Sequence, residues 1–327
     1  MAIFTAVSDE EVRTFLVPYG LSLHSLEGIP AGSVNSNFRL LVEGSDGAAR
    51  PVFLRIYEEQ GREGAEREAG LLATLAAAEV PTPAPIPDRA GRAIGTLRHK
   101  PAALFPWRAG GMRCQASVSP ADVSALGAAL ARLHVTGAGA QGFGPGRFRR
   151  TDLEVRLAAI EGAADATFRP LASPLRAALA TVDDARDRAL PSGLVHGDLF
   201  RDNVLFDEAG RLVALLDFES AFEGTFAFDL AVCVLSWTFG DDLDLALGRA
   251  MVRGYESIRV LSPVERRGFY EEARFAALRF TITRITDYAM RAGHGPRVMK
   301  DYRRFQARFD ALTALGPGAL ARALFED

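Results

Sequence analysis

The sequence predicts an α+β chain of two lobes, a small antiparallel-sheet N-terminal lobe over residues 1–105 and a larger, mostly helical C-terminal lobe over 106–327. Three observations carry this expectation. At 327 residues the chain is long for one compact unit. Its first third alternates apolar and polar residues with the period of strands, and beyond Pro106 the apolar residues recur at helical spacing.

The elements follow in order. Ser8-Asp9-Glu10-Glu11 places a capping hydroxyl three residues before a carboxylate and is followed by Val12, Phe15 and Leu16, so a helix starts here and stops by Pro18 to Gly20. "GIPAGSVNSNFRLLVEG" reads as a Gly- and Asn-rich turn entering a strand, and "PVFLRIYEE" as its antiparallel partner. A helix is expected over 64–78, ended by Val80-Pro81, then a proline-rich crossing and two short strands up to Phe105. Further helices are expected over 120–134, 151–161, 174–188, 226–239, 242–258, 263–291 and 297–314. No repeat recurs at a solenoid period.

Composition narrows the function. A net charge of −3 gives no broad electrostatic basis for binding nucleic acid or a membrane. The longest apolar helical stretch, 226–239, is too short to span a bilayer and contains Asp229, and no basic segment precedes an apolar run at the start, so a cytoplasmic protein is expected. Cys114 and Cys233 lie far apart among small or apolar neighbours and are expected to be buried and inert. Lys100 and Lys300 are the only lysines; every other long basic side chain is an arginine.

The chemistry concentrates in "GLVHGDLFRDNVLFDEAGRLVALLDFE", residues 193–219. Apolar runs at 194–195, 204–206 and 213–216 read as strands of a hairpin that bring Asp198, Asn203 and Asp217 to one neighbourhood. Magnesium prefers oxygen ligands from one or two side chains together with substrate phosphates, which suits Asn203 and Asp217. Asp198 is then the carboxylate able to accept a hydroxyl proton. Taken singly these are also ordinary turn residues. Their conjunction, H-x-D-x-x-x-x-N followed fourteen residues later by D-F, matches the catalytic-loop and metal-loop pattern of protein kinases.

"VHGDLFRDNVLF" and "LLDFE" resemble the signature of the aminoglycoside phosphotransferase and choline kinase superfamily, whose fold is protein-kinase-like with two lobes. That resemblance implies ATP and Mg2+ as cofactors, Asp198 as catalytic base, Asn203 and Asp217 as metal ligands, and His196 as a structural brace. Asp229, set between Phe228 and Leu230, is expected to bind backbone groups of the catalytic loop, since an unpaired charge there would be costly. The nucleotide side would use Arg55 in place of the kinase lysine, paired with Glu68. Of Glu63, Glu66 and Glu68, only Glu68 shares the face of Leu71, Leu72 and Leu75. Ser33 and Asn35 fall where a phosphate-covering loop belongs, and Phe105 and Trp107 where a linker would face adenine.

The outer segments "GSVNSNF", "KPAALFPW", "ALGAALARLH" and "AFDLAVCVLSW" resemble bacterial homoserine kinases of the aminoglycoside-phosphotransferase type, which implies a small-molecule hydroxyl acceptor, homoserine. Arg279 and Arg284 could take its carboxylate and Asp287 its ammonium, with Trp237 as a pocket wall. The residues "DFES" depart from that branch, which carries an aromatic after Asp-Phe. Aminoglycoside, choline, ethanolamine or sugar acceptors stay open, as does a nucleotide-binding pseudokinase; the sequence leaves the oligomeric state unknown.

Overall fold

A computed structural model describes residues 4–30, 34–138, 143–291 and 300–326. The chain forms two compact units, one ending at Ala109 and the other starting at Gly110. The fold is mixed α+β.

In the first unit, α1 (Asp9–Leu16) starts with the reciprocal cap anticipated above: Glu11 N donates to Ser8 Oγ at 3.3 Å, and Ser8 N donates to Glu11 Oε2 at 2.8 Å. An antiparallel sheet follows, built from β1 (Ser22–Ile29), β2 (Ser36–Glu43), β3 (Ala49–Ile56), β4 (Gly95–Leu97) and β5 (Lys100–Pro106), in the order β1-β2-β3-β5-β4. Period-2 alternation sends Phe38, Leu40 and Val42 of β2 and Val52, Leu54 and Ile56 of β3 into a core shared with Val12, Phe15 and Leu16 of α1. The odd-numbered residues of β3 therefore face the other way, and the register places Arg55 between Asn37 and Ala103. Helix α2 (Arg62–Ala77) buries Glu68 together with Leu71, Leu72 and Leu75.

The second unit is chiefly helical. Its helices are α3 (Pro120–Gly137), α4 (Arg150–Glu161), α5 (Arg169–Ala185), α6 (Phe226–Trp237), α7 (Leu245–Glu256), α8 (Pro263–Asp287) and α9 (Arg303–Phe325). Several boundaries differ from expectation. Helix α5 starts five residues early, because Pro170 suits a first helical turn and Pro174 is carried inside. Asp244 caps α7, accepting Leu247 N at 2.9 Å, so that helix begins at Leu245 rather than 242. Helix α8 ends at Asp287 and is followed by a single 3-10 turn over Ala289–Arg291. Gly316-Pro317 does not end α9 but kinks it: Gly316 takes φ 76°, ψ 163°, and the chain resumes as helix to Phe325.

The expected hairpin is also partitioned differently. β7 (Val204–Phe206) pairs with β8 (Leu212–Leu215), whereas β6 (Ser192–Val195) pairs with β9 (Phe222–Thr225). Cys233 is buried, but Cys114 is exposed in the segment before α3, against the expectation for it. Among the described residues no helix is long and apolar enough to cross a membrane.

Two contacts fix the frame behind β6. Helices α3 and α7 touch backbone to backbone: a Cβ on Gly127 would fall 2.1 Å from Met251 O, and one on Gly254 would fall 2.0 Å from Ser124 O. Beside this crossing lies a fully buried polar chain, in which His134 of α3 reaches Tyr255 OH of α7 at 2.8 Å through Nδ1 and Asp229 of α6 at 3.1 Å through Nε2. Burial lowers the His134 pKa below its ordinary 6.5 despite the attraction of Asp229. The ring is therefore neutral, donating from Nε2 to the carboxylate and accepting the tyrosine hydroxyl at Nδ1.

Gly254→Ala and Gly127→Ala should each destabilise the protein by about 1–3 kcal/mol, since backbone rather than a flexible side chain must yield; chemical denaturation would measure it. The neutral His134 gives an acid-side dependence. Below pH 6.5 an unfolded histidine takes up a proton that the folded ring refuses, so stability should fall as pH drops, by up to about 1.4 kcal/mol per pH unit. Urea midpoints measured between neutrality and pH 5 should show this slope, and His134→Asn should flatten it.

Candidate active site

The loop leaving β6 is built on one buried carboxylate. Asp229 Oδ2 accepts His196 N at 2.7 Å and Oδ1 accepts Gly197 N at 2.8 Å, while His134 takes a third position. Burial alone would raise the Asp229 pKa, but the hydrogen bonds from His134 and Gly197 outweigh it and hold the group below its ordinary value. Gly197 turns through φ 74°, and a Cβ there would fall 2.5 Å from the Phe222 ring. Only glycine fits both demands.

Asp198 follows directly and is half-buried. Its own N–H points to His196 Nδ1 at 3.4 Å, and its carbonyl accepts Asn203 Nδ2 at 2.8 Å. His196 also meets Leu216 O at 2.9 Å and rests against Phe218, so its ring ties the loop to the end of β8. Asn203 O accepts Leu216 N at 2.8 Å, a second tie across the same gap. These bonds commit the Asn203 amide nitrogen to the loop and leave its side-chain oxygen as the atom able to meet a cation.

Asp217 adopts a left-handed backbone, φ 67°, ψ 63°, which a non-glycine residue takes only when its surroundings over-determine it. Its Oδ1 is buried without a hydrogen-bond partner among the described residues. A carboxylate oxygen in that condition fits a metal ligand. No group of three or more His, Cys, Asp or Glu side chains able to hold a metal occurs among the described residues. That is compatible with an ion such as magnesium, which draws much of its shell from water and phosphate.

Positive charge surrounds Asp198. Arg279 Nη1 of α8 lies 3.7 Å from Asp198 Oδ1, and its guanidinium stacks 4.0 Å from the Phe148 centroid and 3.7 Å from that of Phe280. Lys300 Nζ is 3.7 Å from Asp202 Oδ2. Burial raises the Asp198 pKa; Arg279, Lys300 and His196 oppose that rise, and Asp217 adds to it. Burial presses Arg279 and Arg284 down to about 10 in each case, which leaves both charged at neutral pH.

The remaining expected site residues separate. Arg284 feels the Asp198 charge and donates to Asp301 O at 3.1 Å. Asp287 does not join Arg279 and Arg284: Arg156 of α4 holds it at 2.6 Å, an ion pair that sequence spacing along one helix does not reveal. Trp237 is no pocket wall, being fully buried with its indole N–H donating to Leu199 O at 3.0 Å beneath the loop leaving β6. Phe148, Arg156 and Lys300 were missed, the first two because only tertiary packing brings α4 and its approach to α8. The rarity of lysine was the one signal for Lys300.

In the first unit, Arg55 Nη1 meets Glu68 Oε1 at 3.2 Å, with both side chains largely buried. Asn35 is buried and accepts Glu58 N at 3.2 Å, while Ser33 lies outside the described residues. Phe105 is buried edge-on against Phe53 at 6.2 Å, and Trp107 is half-buried with Arg39 5.2 Å over its ring.

Comparison with known proteins identifies the family. The sequence profile of the phosphotransferase enzyme family matches residues 25–270. The chain is 36% identical to a homoserine kinase of Methylocella silvestris over 88% of each chain. It is 34% identical to one of a Caulobacter species, over 98% of this chain and all of the other. Among solved structures, an amicoumacin kinase in complex with AMP-PNP, Ca2+ and Ami shares the fold at TM-score 0.71 and 12% identity over 95% of both chains. A spectinomycin phosphotransferase bound to ADP does so at TM-score 0.70 and 13% identity over 98% of both. With the family profile spanning three-quarters of its length and relatives aligned nearly end to end, the chain belongs to the phosphotransferase enzyme family.

Proposed function

We propose that the protein transfers the γ-phosphoryl group of ATP to the side-chain hydroxyl of homoserine, giving O-phosphohomoserine and ADP. The observation that carries the acceptor choice is the setting of Asp198, a carboxylate surrounded by Arg279, Arg284 and Lys300. Such a field favours an acceptor that brings a carboxylate and opposes a polycationic aminoglycoside or a quaternary ammonium. The relatives named homoserine kinase support the same choice.

Asp198 accepts the proton of the attacking hydroxyl; burial raises its pKa, which suits a base, and the Arg279 charge opposes that rise. The hydroxyl oxygen forms a bond to the γ-phosphorus as the bond to the β-bridging oxygen breaks, and ADP leaves. Magnesium held by Asn203 and Asp217 would neutralise charge developing on the phosphates. Arg55, steadied by Glu68, supplies a cation for the nucleotide, with Asn35 and Ser33 in the phosphate-covering segment and Phe105 and Trp107 near the base. Arginine gives a planar fork where a lysine would give a point charge. We expect this chemistry in the cytoplasm, where ATP and the acceptor are available.

ADP release should depend on homoserine and stay at background with aminoglycosides or choline; turnover of another acceptor with none of homoserine would overturn the acceptor choice. Asp198→Asn should lower kcat by about 10²–10⁴-fold, leaving the KM for ATP nearly unchanged. Asp217→Asn should lower kcat by about 10²-fold or more and raise the divalent-metal concentration needed for half-maximal rate. Full activity in either variant would remove its residue from the assigned role.

A further inference from the structure

The surroundings of the catalytic loop hold more positive charge than Asp198 and its neighbours use. Phe200 of the loop, Phe280 of α8 and Phe305 of α9 form an aromatic cluster. The Phe280 centroid is 4.8 Å from each of the other two, which lie 5.8 Å apart. Two guanidiniums share the Phe305 ring, Arg284 at 4.4 Å and Arg308 at 4.6 Å from its centroid. Lys300 stands 5.7 Å from that of Phe200.

Arg308 is the sharpest anomaly. It is 4% exposed, yet its hydrogen bonds go to the carbonyls of Leu235, at 2.7 Å, and Arg304 rather than to a carboxylate. Burial presses it down to about 9, and Arg284, Arg304 and Arg201 add their repulsion; it remains charged at neutral pH. Arg201 Nη1 and Arg284 Nε are buried without a hydrogen-bond partner among the described residues. The acids that act on this group are Asp202, on both Arg201 and Arg284, and Asp198, on Arg284. Asp202 is itself drawn to Lys300. Among the described residues these guanidiniums meet only those two carboxylates, and for the buried Arg308 that is costly unless an anion completes the arrangement.

We propose that Arg201, Arg284, Arg304 and Arg308 form a site for a small oxyanion, a carboxylate or a phosphate-sized ion, beside the catalytic loop. Guanidinium forks match such anions, and the unpartnered N–H groups of Arg201 and Arg284 are the donors they would engage. The Phe305 ring holds Arg284 and Arg308 side by side, and a ligand would meet the guanidinium edges. The occupant is either the acceptor's own carboxylate or a free inorganic anion.

The test is a thermal-shift titration of the full chain with inorganic phosphate, in chloride buffer without nucleotide. A saturable rise in Tm is expected, with affinity about tenfold or more weaker in Arg201→Gln and in Arg304→Gln. Arg304 is exposed, so its loss spares the core, whereas Arg308 is avoided because it also ties α6 to α9. Arg303→Gln, on the same helix but stacked on Tyr302, should bind phosphate as the unaltered protein does. No saturable rise, or a rise that survives both substitutions, overturns the site; the second result would place phosphate where the nucleotide binds. Under turnover, phosphate competing with homoserine identifies the acceptor carboxylate as occupant, and non-competitive inhibition identifies a free anion. The titration needs no turnover, so failure of homoserine as a substrate leaves its reading intact.

Discussion

A carboxylate with no exposed surface has to be supplied with donors, and Asp229 is supplied with three: the backbone N–H of His196, that of Gly197 and the His134 ring. Two of these come from consecutive residues, and presenting both to one carboxylate bends the chain sharply after β6. The bend requires positive φ at Gly197 and delivers Asp198 on the far side of the turn. Breaking a buried arrangement of this kind by removing one partner typically costs about 3–5 kcal/mol, so the loop's shape is held by a term large beside net folding stability. His196 and Asn203 then carry the same order across to Leu216 and Asp217.

The reading of arginine and lysine follows a similar logic. A chain that places lysine at only two positions has built its cationic surroundings from a side chain that stays charged when buried and lies flat on aromatic rings. Arg279 between Phe148 and Phe280, and Arg284 and Arg308 against Phe305, are positions where an ammonium could lose its proton. Phenylalanine and arginine together give a wall that is apolar in packing and positive in field.

Much of this was legible in the sequence where local periodicity decides the outcome. Alternation of Val52, Leu54 and Ile56 with Arg55 marks which face of β3 is core, and hence that Arg55 points away from it. Helical spacing singled out Glu68 from three glutamates, and it is the one found at 3.2 Å from Arg55. Legibility ended where distant elements choose partners. Phe222–Thr225 carries Glu and Gly and looks like loop, so its pairing with β6 could not be read locally. Gly316-Pro317 signals an end, yet packing carries α9 past it as a kink. Asp287 looked placed beside Arg279 and Arg284 to take an acceptor's ammonium, and the cation it meets is Arg156 of α4.

The glycine crossing of α3 and α7 acquires a mechanical meaning in this frame. Tyr255 and Gly254 are neighbours on α7, and His134 lies two turns along from Gly127 on α3. Where side chains separate two helices, rotamer changes let the spacing drift; where backbones touch, the distance has a hard stop on one side. The tyrosine, the histidine and the carboxylate behind the turn at Gly197 therefore form a chain of parts measured from that stop. Positional tolerance at Asp198 is set by how closely α3 and α7 can approach.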